Sequence, residues 1–191
     1  MRVIAFNGSA RKHGNTAILV NAIFKELKKE DIRTELVQLA GKKIRGCIAC
    51  GKCFEKKNHR CAIREDFTND CIGKMVEADG IILVSPNVLR GCHDRDEGAD
   101  RPVRLRGEGQ RRYVPAQGRD SGRGCPARGC NPCLRYHEPF LLHQPVVVPG
   151  SSYWNVGIGQ EAGEVEKDEE GLGTMKTLGK NMAWLLKKLE K

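Results

Sequence analysis

The 191 residues predict one α/β domain, a doubly wound parallel sheet with helices packed on its faces. Three observations carry this expectation. Arg2-Val3-Ile4-Ala5-Phe6 reads as a short buried strand. Thr16 to Lys29 follows it with Leu19, Ile23 and Leu27 at helical spacing. Gly80-Ile81-Ile82-Leu83-Val84 then repeats the apolar run of a central parallel strand.

The remaining elements follow in order. Asn7 to Asn15 is a turn-rich loop, and Thr34 to Leu39 alternates like a second strand. Residues 41–66 form a cysteine-bearing loop, and Phe67 to Ala78 reads as a helix. Pro145-Val146-Val147-Val148 reads as another buried strand. Gly171 to Lys191 is a terminal helix with Leu172, Met175, Leu178, Met182, Leu185 and Leu189 at helical spacing. Ligands of such sheets bind beyond the carboxyl ends of the strands, so the informative loops follow Phe6, Val84 and Val148.

No apolar run is long enough to cross a bilayer, and the N-terminus enters directly into a strand pattern. The expectation is a soluble, cytoplasmic protein with no membrane partner. Nine cysteines in that setting favour metal or redox chemistry over structural disulfides. A net charge of +9 would suit nucleic acid or an anionic cofactor.

The loop Asn7-Gly8-Ser9-Ala10-Arg11-Lys12-His13-Gly14-Asn15-Thr16 joins the first strand to the first helix. Amide hydrogens and the positive dipole end at a helix start attract an anion. Gly8 and Gly14 permit close turns, Ser9, Asn15 and Thr16 add neutral donors, and Arg11 adds charge. The loop lacks the Walker lysine and the G-x-G-x-x-G spacing, which favours a mononucleotide monophosphate over ATP or a dinucleotide. The plainer alternative is a capped turn with Asn15 or Thr16 as the N-cap.

The G-S-x-R-x-x-G-N-T loop resembles that of the NADPH-dependent FMN reductase and iron–sulfur flavoprotein group of flavodoxin-like proteins. The resemblance implies a flavodoxin-like three-layer α/β sandwich with a five-stranded parallel sheet, and FMN as cofactor. It implies Ser9, Arg11, Asn15 and Thr16 as phosphate contacts. The family's S-P-x-Y-F segment, beside the isoalloxazine ring, would fall on Ser85, Pro86, Asn87, Val88 and Leu89. Here Ser85-Pro86 is present and Asn87-Val88-Leu89-Arg90 departs from the pattern. A third match is Pro149-Gly150-Ser151-Ser152-Tyr153-Trp154, which places Gly150, Ser151, Tyr153 and Trp154 near the flavin. For Tyr153 and Trp154 the alternative is packing under a loop.

Cys47-x-x-Cys50-x-x-Cys53, followed by Cys61, resembles the compact cysteine motif that holds a 4Fe-4S cluster in the iron–sulfur flavoproteins. Thiolates at this spacing also suit zinc, or stay unmetallated, and spacing leaves all three states open. Cys71 falls in a helix pattern and reads as packing. The function the resemblance implies is FMN-dependent oxidoreduction, with electrons from NAD(P)H or a ferredoxin-like donor passed to a quinone, flavin or other small-molecule acceptor. It also implies a homodimer or homotetramer with FMN near subunit contacts. No side chain stands out as an acid–base catalyst. The rivals are a non-enzymatic flavin and iron–sulfur electron carrier, and a basic nucleic-acid-binding protein.

Residues 87–144 break the pattern. They hold eleven of the seventeen arginines, none of the sixteen lysines and no isoleucine. No period of two or 3.6 is sustained there. A basic insertion (Arg104, Arg106, Arg111, Arg112) and a zinc site (Cys125, Cys130, Cys133, His137) are two readings. The third, favoured here, is an out-of-frame translation of the same domain. Read one base over, the codons of residues 87–91 can give Thr-Tyr-Phe-Gly, which restores the family segment after Ser85-Pro86. The same shift can restore a helix near 93–103, a strand near 117–124 and a helix near 132–143. On this reading the arginine patch has no role, and nucleic acid is not a partner.

Overall fold

The computed structural model describes residues 1–88, 111–120 and 146–190. Strand β1, Arg2–Asn7, lies at the centre, between β2 (Arg33–Gln38) and β3 (Gly80–Val88), both parallel to it. Its residues after Arg2 are all buried, so its two faces serve two cores. Val3 and Ala5 join the cluster built on helix α1 (Asn15–Lys29) and helix α4 (Glu169–Leu189). Ile4 and Phe6 point the other way and pack with Val37, Ala78 and Ile81 against Phe67, Cys71 and Met75 around helix α3 (Thr68–Glu77). The period-two alternation of β1 thus produces three layers.

The described strands number six, in the order β2-β1-β3-β4-β5, with β6 also beside β4. Strand β4 spans Arg111–Asp120 and pairs with the whole of β3. It overlaps the expected strand near 117–124 and begins earlier. The helices expected near 93–103 and 132–143 lie outside the described residues. Beside β4, Val146–Val147 (β5) pairs with Arg111 and Arg112, and Val156–Ile158 (β6) pairs with Gln117 to Arg119. The expected buried strand at 145–148 is therefore shorter, and Val147 and Val148 are each 39% exposed. Among the described residues it pairs on one side only, which leaves its residues at the edge of the described sheet.

Helix α1 begins one residue before its expected start. Its N-cap is Gly14, not Asn15 or Thr16. Its buried stripe meets α4 where Gly179 allows close approach: a Cβ there would lie 2.9 Å from both the Ile23 carbonyl oxygen and Glu26 Cβ. The buried stripe of α4 is Met175, Leu178, Met182 and Leu186, whereas Leu189 is exposed and Leu185 and Leu172 are half-buried. By the 3.6-residue period Leu185 and Leu172 fall on the two flanks of this stripe, whereas Leu189 lies in line with it but is the last residue of the helix. Asp168 caps α4 by accepting from the Gly171 amide at 2.9 Å, and also accepts from the Ile158 amide at 2.6 Å.

Candidate flavin-binding site

The carboxyl ends of the strands are staggered. Asn7, the last residue of β1, is level with Val84 of β3 and Ala116 of β4, but β3 and β4 continue for four further residues. The space above the end of β1 is the switch point of the sheet, where the chain runs to β2 on one side and β3 on the other. The loop after β1 fills its floor. The Gly8 amide donates to the Val84 carbonyl at 2.9 Å, so Val84 directs its polar groups toward β1. Pro86, two residues on, would direct its own that way, where β1 has ended. The missing N–H of proline therefore costs no ladder bond.

Three side chains shape the loop. Asn7 is fully buried; its Oδ1 accepts from the Ser9 amide at 3.0 Å and its Nδ2 donates to Gln38 Oε1 at 2.9 Å. Gln38 Nε2 donates to the Ser9 carbonyl at 2.5 Å. Ser9 Oγ accepts from the Arg11 amide at 3.2 Å, which leaves the hydroxyl proton available for an oxyanion. Asn7 and Gln38 were not singled out from the sequence. The signal, a polar residue ending each of two adjacent parallel strands, acquires meaning once the strands are paired.

Arg11, Lys12 and His13 are exposed at the start of α1, and its first turn holds no acidic residue. The helix dipole and the charges of Arg11 and Lys12 make the mouth of the loop electropositive. Gly14 lies so close to Arg11 that a Cβ would come within 3.0 Å of Arg11 Cβ. Thr16 is buried in the first turn, where a helix provides no carbonyl for its amides. Ser9, Arg11 and Thr16 thus gather at one junction. Asn15 is there too, but its side chain turns elsewhere. Nδ2 donates to the Glu161 carbonyl at 2.9 Å, and Oδ1 accepts from the Gly163 amide at 2.9 Å. Asn15 ties α1 to the segment before the 3₁₀ turn Glu164–Lys167.

Ser85 and Pro86 rise beside the loop on β3, and Asn87 and Val88 continue that strand. Leu89 lies outside the described residues. Gly150, Ser151, Tyr153 and Trp154 lie between β5 and β6, at the β4 edge rather than beyond the end of a single strand. Asn181 of α4 donates to the Gly150 carbonyl at 2.7 Å, and Ser151 Oγ lies 2.6 Å from the Tyr153 carbonyl. Tyr153 and Trp154 stack with ring centroids 6.1 Å apart and are 65% and 58% exposed, which overturns packing under a loop.

The cysteine loop is closed at its neck and open at its tip. The Phe67 amide donates to the Lys43 carbonyl at 2.9 Å, and Asp66 accepts from the amides of Arg45 (3.1 Å) and Thr68 (3.1 Å). Burial alone would raise the Asp66 pKa, but these amides outweigh it and hold it below the ordinary carboxylate value. Beyond the neck, Ala49, Gly51, Lys57 and His59 all have left-handed φ, and a short helix α2, Lys52–Lys56, carries Cys53. Cys47, Cys50 and Cys53 are exposed and Cys61 is half-buried. Among the described residues, no three cysteine, histidine or acidic side chains are gathered to hold a metal. The donor types suit an iron–sulfur cluster, and Cys47 Sγ already accepts the Ala49 amide at 3.4 Å. In this structure Cys47, Cys50, Cys53 and Cys61 are not gathered into one site. Cys71 behaves as expected of a packed thiol: burial pushes its pKa up to about 11.

Among the described residues no helix is long and apolar enough to cross a membrane. Residues 1–91 match the family model of the NADPH-dependent FMN reductases. An iron–sulfur flavoprotein of Methanocaldococcus jannaschii is 33% identical over 202 aligned residues that cover all of both chains. The fold is similar to RosB, whose structure holds a bound 8-demethyl-8-formylriboflavin-5'-phosphate intermediate (TM-score 0.63, 18% identity, all of this chain and 80% of that one). It is also similar to an NAD(P)H:quinone oxidoreductase from Methanothermobacter marburgensis (TM-score 0.54, 13% identity, 95% of this chain and 98% of that one). The staggered sheet, the anion loop at its switch point and these likenesses together place the chain in the flavodoxin-like NADPH-dependent FMN reductase and iron–sulfur flavoprotein family of flavin-dependent reductases.

Proposed function

We propose that the protein binds FMN and acts as an oxidoreductase. Electrons would pass from NAD(P)H or a ferredoxin-like donor to a quinone, flavin or other small acceptor. The observation that supports this most is the loop of Ser9, Arg11 and Thr16 at the β1–α1 junction, held by Asn7 and Gln38. A phosphate there would receive first-turn amide hydrogens, two hydroxyl protons and the charge of Arg11. Asn15 would contribute by fixing α1 rather than through its side-chain amide. Ser85 to Leu89 and the 150–154 loop would border the flavin ring, and the exposed faces of Tyr153 and Trp154 would shield it from water. FMN, when bound, supplies the redox chemistry, and the chain supplies grip, orientation and positive charge.

Cys47, Cys50, Cys53 and Cys61 would hold a 4Fe-4S cluster, which supplies one-electron storage. The amide contact at Cys47 favours this group, since hydrogen bonds to sulfur tune such clusters. Free thiols suit a reducing cytoplasm. A homodimer or homotetramer with FMN near subunit contacts completes the reading. β5 and β6, which share β4 as neighbour, are then two halves of an interrupted fifth strand.

We also propose that 1–191 is one flavodoxin-like domain in which residues 87–144 are read out of frame. Lysine is absent over that stretch, and the match to the FMN reductase family model extends only to residue 91.

The function is tested by titrating the flavin-free chain with FMN, then following NAD(P)H oxidation under argon with a quinone acceptor. Tight FMN binding with sustained turnover is expected. No FMN binding would overturn the proposal. Binding without turnover would leave the chain an electron carrier.

A further inference from the structure

We propose that Asn69 is the positioning residue for Cys61, fixing that backbone on helix α3 before the Cys47–Cys53 arm closes on a metal; this rests on the cluster reading above. The Cys61 amide donates to Asn69 Oδ1 at 2.7 Å, while Asn69 Nδ2 donates to the carbonyls of Ile63 (2.8 Å) and Cys61 (3.3 Å). Both ends of one side-chain amide are therefore spent on the Cys61 turn. Asn69 is the second residue of α3, and this helix is fixed to the sheet through Ile72 and through the ion pairs of Lys74 with Glu35 and Arg2 with Glu77. Cys61 is thus held against a rigid element. The arm that carries Cys47, Cys50 and Cys53 is exposed and turns through the left-handed Ala49 and Gly51.

The division has a physical consequence. One ligand in place lowers the entropy lost when the others are recruited, and outer groups that hold a ligand typically change metal retention by about 10–100-fold. Asn69 does not cap its own helix, whose N-cap is Phe67. Its side chain reaches back to residues 61–63 instead.

The test uses the full chain purified without oxygen, with iron, acid-labile sulfide and FMN measured in the wild type, Asn69→Ala and Asn69→Asp. Amide hydrogen exchange at Cys61 is followed in the iron-free proteins. In the wild type the Cys61 amide should be protected. In Asn69→Ala that protection should be lost and iron should leave to a chelator at about tenfold lower chelator concentration, with FMN content unchanged. Asn69→Asp keeps the acceptor oxygen, so it should restore the amide protection and part of the iron retention. Equal iron retention in wild type and Asn69→Ala would overturn the proposal, as would a Cys61 amide that exchanges as fast as that of Cys47. A wild type that takes up no iron, with Cys61 still protected, would overturn the cluster reading and this proposal with it. If Asn69→Ala loses FMN through misfolding, the Asp variant decides: iron lost despite a protected Cys61 amide overturns the proposal.

Discussion

Gln38 and Ser9 are joined across two strands: the side-chain amide of Gln38, at the end of β2, donates to the Ser9 carbonyl at 2.5 Å. The same amide accepts from Asn7 through its oxygen. The anion loop is thereby held from the neighbouring strand, and the residue that holds it opens the path into the cysteine loop.

Replacing Gln38 by Leu should therefore weaken FMN binding although Gln38 is outside the loop. Leaving a buried amide and a carbonyl unpaired costs roughly 1–3 kcal/mol. A loss of about tenfold in FMN affinity is expected by fluorescence titration, with the far-UV spectrum unchanged. Unaltered affinity would show that the loop keeps its shape without Gln38.

Gly179→Ala opposes two effects. Alanine gains about 1 kcal/mol of helix propensity over glycine. Its Cβ would, however, meet the Ile23 carbonyl oxygen and Glu26 Cβ at 2.9 Å, and one contact is backbone. Overpacking of this kind costs roughly 1–3 kcal/mol. The net expectation is a lower Tm in thermal melts; a higher one would mean that α1 and α4 separate freely.

Asp66 makes the neck of the cysteine loop pH-sensitive. Its folded pKa lies below the ordinary value, so its contribution to stability is complete above about pH 4 to 5 and fades as pH falls through the folded pKa. Asp66→Ala should be less stable than wild type at neutral pH, and the two melting temperatures should converge on acidification. A gap that widens below pH 4 would contradict the assignment.

Cys71 should resist alkylation. With a pKa of about 11, only about one thiol in a thousand is ionised at pH 8, and the thiolate is the nucleophile. Iodoacetamide labelling read by mass spectrometry should modify the exposed Cys47, Cys50 and Cys53 well before Cys71.

If residues 87–144 are read out of frame, the native protein will not have the mass this sequence requires, 21.2 kDa. Peptides from 1–86 and 145–191 should match the sequence, and peptides between them should match the shifted frame. Peptides identical to the arginine-rich sequence would end the idea.

Local sequence was enough to locate β1, α1, α3 and the start of β3, because burial on one or two faces imposes a period that single residues obey. It was also enough to point to the β1–α1 junction, since anion binding there uses backbone amides that any such turn presents. Tertiary structure alone decided what Asn15 does, because its partners at 161 and 163 are far along the chain. It likewise decided that Asn7 and Gln38 hold the loop, that Leu186 rather than Leu189 enters the core, and that the cysteines remain apart. Spacing sets which side chains are near along the backbone; which of them meet depends on strand register and helix packing, and those are properties of the folded chain.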